Sequence, residues 1–201
     1  MSTVLKPSPR RRGQRLRALV WGGAAGLLLL PAVAMHMGAP GLHWTGSDFA
    51  VMGLMLATAC GLYELATRRS ASTAYRAGFA LAVATAFLTV WTNLAVGMFG
   101  REDDRLNLAF GGVLLVAVVG ALRARLRARG MARAMAATAA AQLLAALVGL
   151  GVGLASAGRA PDAPSLVREV LLVAAFALPW AGSALLFRRA GDAGRQFPPR
   201  G

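Results

Sequence analysis

The chain has 201 residues, of which 57% are hydrophobic and only 15% charged, with a mean hydropathy of +0.56. Soluble domains average about 45–50% apolar and about 25% charged residues, so this balance excludes an ordinary soluble domain and indicates a polytopic membrane protein. The net charge of +14 would suit nucleic acid, yet the arginines that carry it have no interleaved aromatics on which bases could stack.

A basic tail, 1–17, comes first, and the apolar block 18–35 behind it is the first predicted span. Its basic flank and the "AVA" of Ala32–Ala34 imitate a secretory signal peptide, but the block is read here as a retained span. Further spans are predicted at 49–66, 75–99, 106–122, 134–157 and 166–187, followed by a basic tail, 188–201. Each approaches or exceeds the roughly 17 to 20 residues of helix that cross a bilayer. Helix is required because open strands would leave backbone groups unpaired in hydrocarbon, and no run alternates as a barrel strand would. The expected fold class is therefore an all-α membrane protein, a bundle of six transmembrane helices.

Lysine and arginine fix the expected orientation. The first tail carries Lys6, Arg10, Arg11, Arg12, Arg15 and Arg17; the second-to-third connection carries Arg68, Arg69 and Arg76. The fourth-to-fifth connection carries Arg123, Arg125, Arg127, Arg129 and Arg133, and the last tail Arg188, Arg189, Arg195 and Arg200. With six spans these 18 lie on one side, and only Arg101, Arg105, Arg159 and Arg168 lie on the other. The positive-inside rule then places both termini in the cytoplasm. The arginine-rich composition suggests a bacterial chain, hence multi-pass in an inner membrane. Its expected partners are the lipid bilayer and the anionic headgroups of the cytoplasmic leaflet, at about 1 kcal/mol per basic residue. No nucleic acid is expected; a homo-oligomer or another membrane protein is left open.

Lipid is as apolar as leucine, so spans must associate through close packing and hydrogen bonds. Small residues at four-residue spacing mark such faces: Ala137, Ala141, Ala145, Gly149, Gly153 and Ala157 in the fifth span. Thr85, Thr89, Asn93 and Gly97 form a second row in the third; Gly22 with Gly26 and Gly53 with Ala57 form shorter ones. These rows predict the third and fifth spans nearest the bundle centre. Pro31 and Pro179 should kink their helices. Trp21, Trp44, Tyr63 and Tyr75 suit the interface, and Trp180 interface or core.

The stretch "WTNLAVGMFGREDDRLNLAF", 91–110, offers the best candidate for chemistry. Asn93 lies about 9 Å along the helix from Phe99 and is either an interhelical hydrogen bond or one wall of a polar cavity. Glu102, Asp103 and Asp104 precede the fourth span, where acids complement a helix N-terminus. Ser47 and Asp48 precede the second span in the same way, as do Asp162 and Ser165 the sixth. Thr89, Asn93, Glu102, Asp103 and Asp104, with His36 and His43 from the first loop, make up a possible polar site on the outer face. Carboxylates and imidazoles could hold a cation, but no ligand spacing fixes a geometry, so no metal or cofactor is assigned. Glu64 pairs with Arg68 four residues on in this reading. Gln142 is read as an interhelical contact, and the single cysteine, Cys60, as a small packing residue. No nucleophile–base pair, phosphate loop or metal motif appears, so no enzyme is expected.

The hinge pattern formed by Trp91, Asn93 to Gly97, Gly100, Glu102 and Asp103 resembles one in small multi-pass membrane proteins of proteobacteria. "YRAGFALA" from Tyr75 and "VREV" from Val167 are similar to segments of the same proteins. The resemblance implies a six-span fold and brings no activity, cofactor or partner. The expected role is non-enzymatic, structural or accessory; the alternative is a small transporter or channel for a cation or small solute, entered at the acidic hinge.

Overall fold

Apolar blocks of this length fold as helices, and helix is the dominant structure in the computed structural model, which describes residues 9–95, 98–99, 105–156 and 163–196. They form α1 (Pro9–His36), α2 (Gly46–Arg69), α3 (Thr73–Ala95), a 3-10 turn (Arg105–Asn107), α4 (Leu108–Arg123), α5 (Ala128–Ser156), α6 (Ala163–Ala175) and α7 (Ala177–Gln196). Among them are six helical stretches long and apolar enough to cross a membrane, the last being Leu166–Ala193 across α6 and α7. The chain divides into two compact units, Met1–Leu65 and Ala66–Gly201.

In the first unit, local chemistry sets the ends of the helices. Gly38 stands at φ 75°, a left-handed conformation that glycine adopts without steric cost. The Ala39 N–H donates to the Ala34 carbonyl and the Gly38 N–H to Met35, both at 3.0 Å. This pair of bonds closes a helix C-terminus, and Pro40 cannot extend it. α2 opens on a reciprocal cap: the Thr45 N–H donates to Asp48 Oδ2 at 2.7 Å, and the Asp48 N–H to Thr45 Oγ1 at 3.4 Å. Trp44 and Phe49 bracket that cap edge to face, with ring centroids 5.1 Å apart. Ser47 and Asp48, expected to precede the helix, thus lie within its first turn, and the capping residue is Thr45.

At the far ends of the same two helices, Glu64 takes a fork from Arg17. Nε donates to Oε1 and Nη2 to Oε2, each at 2.9 Å, and the Trp21 indole adds a third bond to Oε1 at 2.8 Å. The planar guanidinium of Arg17, which the spacing of Glu64 and Arg68 did not point to, reaches both oxygens from the neighbouring helix. The predicted Gly22–Gly26 contact is not made, because a Cβ on either residue would meet nothing within 4 Å. Gly53 does receive a neighbour, the Leu28 side chain at 3.6 Å. Cys60 is buried with its thiol 4.0 Å from the Val20 carbonyl, a packing position.

In the second unit, α5 lies along α4, α6 and α7, and α7 also lies along α3. The centre is therefore α5 with α7, and α3, predicted central, is held from one side. Gly78 explains that contact: a Cβ there would stand 3.2 Å from Leu186 Cβ and 3.3 Å from the Ser183 carbonyl. The Ser183 hydroxyl completes it by donating to the Gly78 carbonyl at 2.7 Å. On the other flank, a Cβ on Gly120 of α4 would stand 2.7 Å from Ala134 Cβ of α5.

The face that α5 buries runs Met131, Met135, Thr138, Gln142, Ala145 and Gly149, alternating steps of three and four. A strict four-residue row advances about 40° around the helix per step. The predicted small-residue row consequently drifts off the interface, and Ala137 is exposed and Ala141 half-buried. Ala157 lies outside the described residues.

The sixth span is interrupted at Phe176, between α6 and α7. Pro179 lacks an N–H, and its ring crowds the carbonyl of Ala175 four residues back, which is where the helix breaks. Pro31, by contrast, sits within an uninterrupted α1. Trp180 is 1% exposed and belongs to the core with Tyr75, Phe79 and Phe187.

Gly120→Val should lower the stability of the folded chain by about 1–3 kcal/mol, because the added carbons meet Ala134 across a closed contact. Gly111→Ala, where a Cβ meets nothing within 4 Å, should not lower it and should raise it by up to about 1 kcal/mol, through the better helix propensity of alanine. Denaturant midpoints of the two variants in the same detergent compare them directly.

Candidate functional site

The polar row of α3 turns its donors inward along its own helix. Thr85 Oγ1 donates to the Leu81 carbonyl at 2.7 Å, Thr89 Oγ1 to Thr85 at 2.9 Å, and Asn93 Nδ2 to Thr89 at 2.8 Å. Side chains bonded back to the fourth preceding carbonyl leave mainly their methyl groups for neighbours. Thr85 and Thr89 are buried and Asn93 is half-buried, so the row is a packing surface whose hydroxyl hydrogens are bonded within the helix; the Asn93 amide gives one of its two. The interhelical bond predicted for Asn93 is replaced by this internal one.

Two other residues do link helices. Gln142 of α5 is 0% exposed and donates through Nε2 to the Val173 carbonyl of α6 at 3.0 Å, three residues before the break. Ser183 performs the same service between α7 and α3. Sequence reasoning identified Gln142 as a contact, whereas Ser183 carried no signal apart from its hydroxyl.

The described part of the hinge is built around Asn107, a residue the sequence reading passed over. Its Oδ1 accepts the N–H groups of Met98 and Phe99 at 3.0 and 2.9 Å, and its Nδ2 donates to the Phe99 carbonyl at 3.3 Å. Asn107 stands at the N-cap of α4, but its side chain makes no bond to that helix. A lone asparagine just before an apolar block was the available signal; its partners eight or nine residues upstream were not.

Pinned in this way, Phe99 turns into the unit. Its ring stacks on Phe110 with centroids 5.5 Å apart and covers Gly149, where any Cβ would collide with it. Phe99 and Met98 close a cluster of Phe110, Val113, Ala145, Ala146 and Val173 from α4, α5 and α6. Among the described residues, the hinge end of this unit is therefore filled with apolar side chains.

Glu102, Asp103 and Asp104 lie outside the described residues. His36 and His43 are exposed in the first unit, and the Asp48 carboxylate near them is occupied by Thr45. Among the described residues no group of three or more His, Cys, Asp or Glu could hold a metal ion. Three buried polar atoms lack a hydrogen-bond partner among the described residues: Asn93 Oδ1, Gln142 Oε1 and Trp180 Nε1. No protein family, curated protein or solved structure matches the chain.

Asn107→Ala removes three bonds that fix the Met98–Phe99 backbone and should cost about 1–3 kcal/mol of stability. Asn93→Leu removes one internal bond together with an unsatisfied oxygen, so its effect should stay within about 0.5 kcal/mol. Thermal unfolding of both variants in detergent tests the contrast, and an Asn93→Leu loss equal to that of Asn107→Ala would contradict it.

Proposed function

We propose that this chain is a non-enzymatic, multi-pass protein of a bacterial inner membrane with a structural or accessory role. Both tails and the Arg123–Arg133 connection lie in the cytoplasm. The observation that carries this reading is the filled hinge end of the second unit, where Phe99 covers Gly149 and stacks on Phe110. A route for solute would need a wet opening there, and the Thr85 and Thr89 hydroxyls and one Asn93 N–H are bonded to their own helix. The asymmetry of the arginines supports the sidedness.

A second reading, a small transporter or channel for a cation or small solute entered from the acidic hinge, has one observation in its favour. Asn93 Oδ1, Gln142 Oε1 and Trp180 Nε1 are buried without partners, a cost that a polar occupant would relieve. Flux separates the two. Vesicles reconstituted with the full chain should leak monovalent cations and small neutral solutes no faster than empty vesicles. A saturable flux abolished by Gln142→Leu would overturn the structural role in favour of transport. For sidedness, reporter fusions at the Arg123–Arg133 connection and at both tails should all score cytoplasmic, and a periplasmic signal from any of them defeats the topology.

A further inference from the structure

The turn between α4 and α5 breaks the helical path in an unusual way. Arg125 stands at φ 47° and Leu126 at φ 58°, two consecutive left-handed residues that are not glycine. Side chains at such positions are strained by contact between Cβ and the following carbonyl. The strain is held in place from α3: the Tyr75 hydroxyl, 3% exposed as a residue, donates to the Leu126 carbonyl at 2.8 Å.

Around this turn lies a cavity of about 480 Å3, lined by Arg69, Tyr75, Arg125, Leu126, Arg127 and Ala128, with Ser70 at its edge. Three arginines are among its lining residues, and no carboxylate is. Like charges gathered at one site repel, and an anion between them reverses the sign of the interaction. Nearby Arg76 shows the contrast. Its guanidinium is already engaged, donating to the Ser70 carbonyl at 2.8 Å and to the Thr67 carbonyl at 3.1 Å.

The backbone adds to the same field. The Met131 N–H makes its bond to the Arg127 carbonyl at 2.9 Å, so the N–H groups of Ala128, Arg129 and Gly130 precede the ladder of α5. The first turn of α5 contains no acidic residue to complement them. Guanidinium groups present paired donors that match phosphate oxygens. Along α4, leading away from the turn, Leu122 is 71% exposed and Leu115 62%, an apolar track on which acyl chains can lie.

We propose that this cavity binds a phosphate group, supplied by an anionic phospholipid whose headgroup sits among Arg69, Arg125 and Arg127. The inference rests on the membrane placement proposed above and narrows a general attraction to headgroups to one built site. Basic pockets between helices at a membrane face are suited to such headgroups, and the cavity is of ligand size.

The full chain, delipidated in nonionic detergent, is titrated separately with short-chain phosphatidylglycerol, phosphatidylcholine and inorganic phosphate. Bound molecules are counted by native mass spectrometry. The wild type should take up one phosphatidylglycerol saturably, at concentrations where phosphatidylcholine does not bind. R69Q/R125Q/R127Q should weaken that event on the order of a hundredfold, by the usual contribution of three basic residues. R123Q/R133Q, which removes two exposed charges from the same connection outside the cavity, should leave it within about threefold. Circular dichroism on every variant, with single R125Q as a milder substitution, keeps a loss of fold distinct from a loss of site.

Binding of inorganic phosphate with no preference for phosphatidylglycerol would retain the anion site and reject the lipid as its source. Equal weakening in both multiple variants would reduce the site to diffuse charge and overturn the proposal, as would wild-type-like binding by the triple variant or binding of neither anion. Because the assay is done in detergent, it does not depend on sidedness. Fusion reporters can therefore fail while this test succeeds, and the reverse.

Discussion

Helices surrounded by lipid gain almost nothing from burying leucine against leucine, so the second unit depends on how closely its backbones can approach. Gly78 sets the approach of α3 to α7, and Gly120 that of α4 to α5. Once backbones are this near, a short side chain can bridge them, as Ser183 does to the Gly78 carbonyl. The bond and the missing Cβ are two halves of one contact: a larger residue at Gly78 would separate the helices beyond the reach of a serine. Dispersion between the surrounding Tyr75, Phe79 and Phe187 rings then follows from the same spacing.

The interruption at Phe176 belongs to this economy of polar groups. Pro179 frees carbonyls in an apolar setting, where each unsatisfied group costs several kcal/mol. Gln142 reaches from α5 to the Val173 carbonyl, so the break lies beside a donor from the most central helix. The carbonyl that Pro179 itself deprives of a donor is that of Ala175, two residues further on. The same amide keeps its own acceptor, Oε1, unpaired.

How much of this could be read from the sequence varied with the range of the interaction. Span existence was legible, because it depends on runs of apolar residues within a single helix. The cap of α2 was partly legible, since Thr45 and Asp48 are three residues apart. The α5 interface was legible in character but not in register, because a four-residue row drifts around a 3.6-residue helix and carries Ala137 away from its partner. Contacts between distant segments left no trace. Glu64 has a well-placed arginine four residues on, and yet its fork comes from Arg17, 47 residues away. Asn107 reads as a helix cap and instead fastens the loop before it. For the candidate site, Thr89 and Asn93 were recognised as polar, but spacing alone could not tell whether their hydrogens faced a cavity or their own carbonyls.

The arginines of the α4–α5 turn raise a different question, because orientation in the membrane requires only their number and side. Five basic residues between 123 and 133 would retain this connection equally well on a smooth helical end or a glycine turn. Glycine at position 125 or 126 would also relieve the left-handed backbone at no steric cost. The chain instead places an arginine and a leucine there, and ties the second to a buried tyrosine of another helix. In this conformation Arg125 and Arg127 line the same cavity as Arg69. Retained strain and gathered like charge are each unfavourable for an empty turn. Both become intelligible if the turn closes on an anion, whose attraction to three guanidinium groups offsets the conformational cost of gathering them.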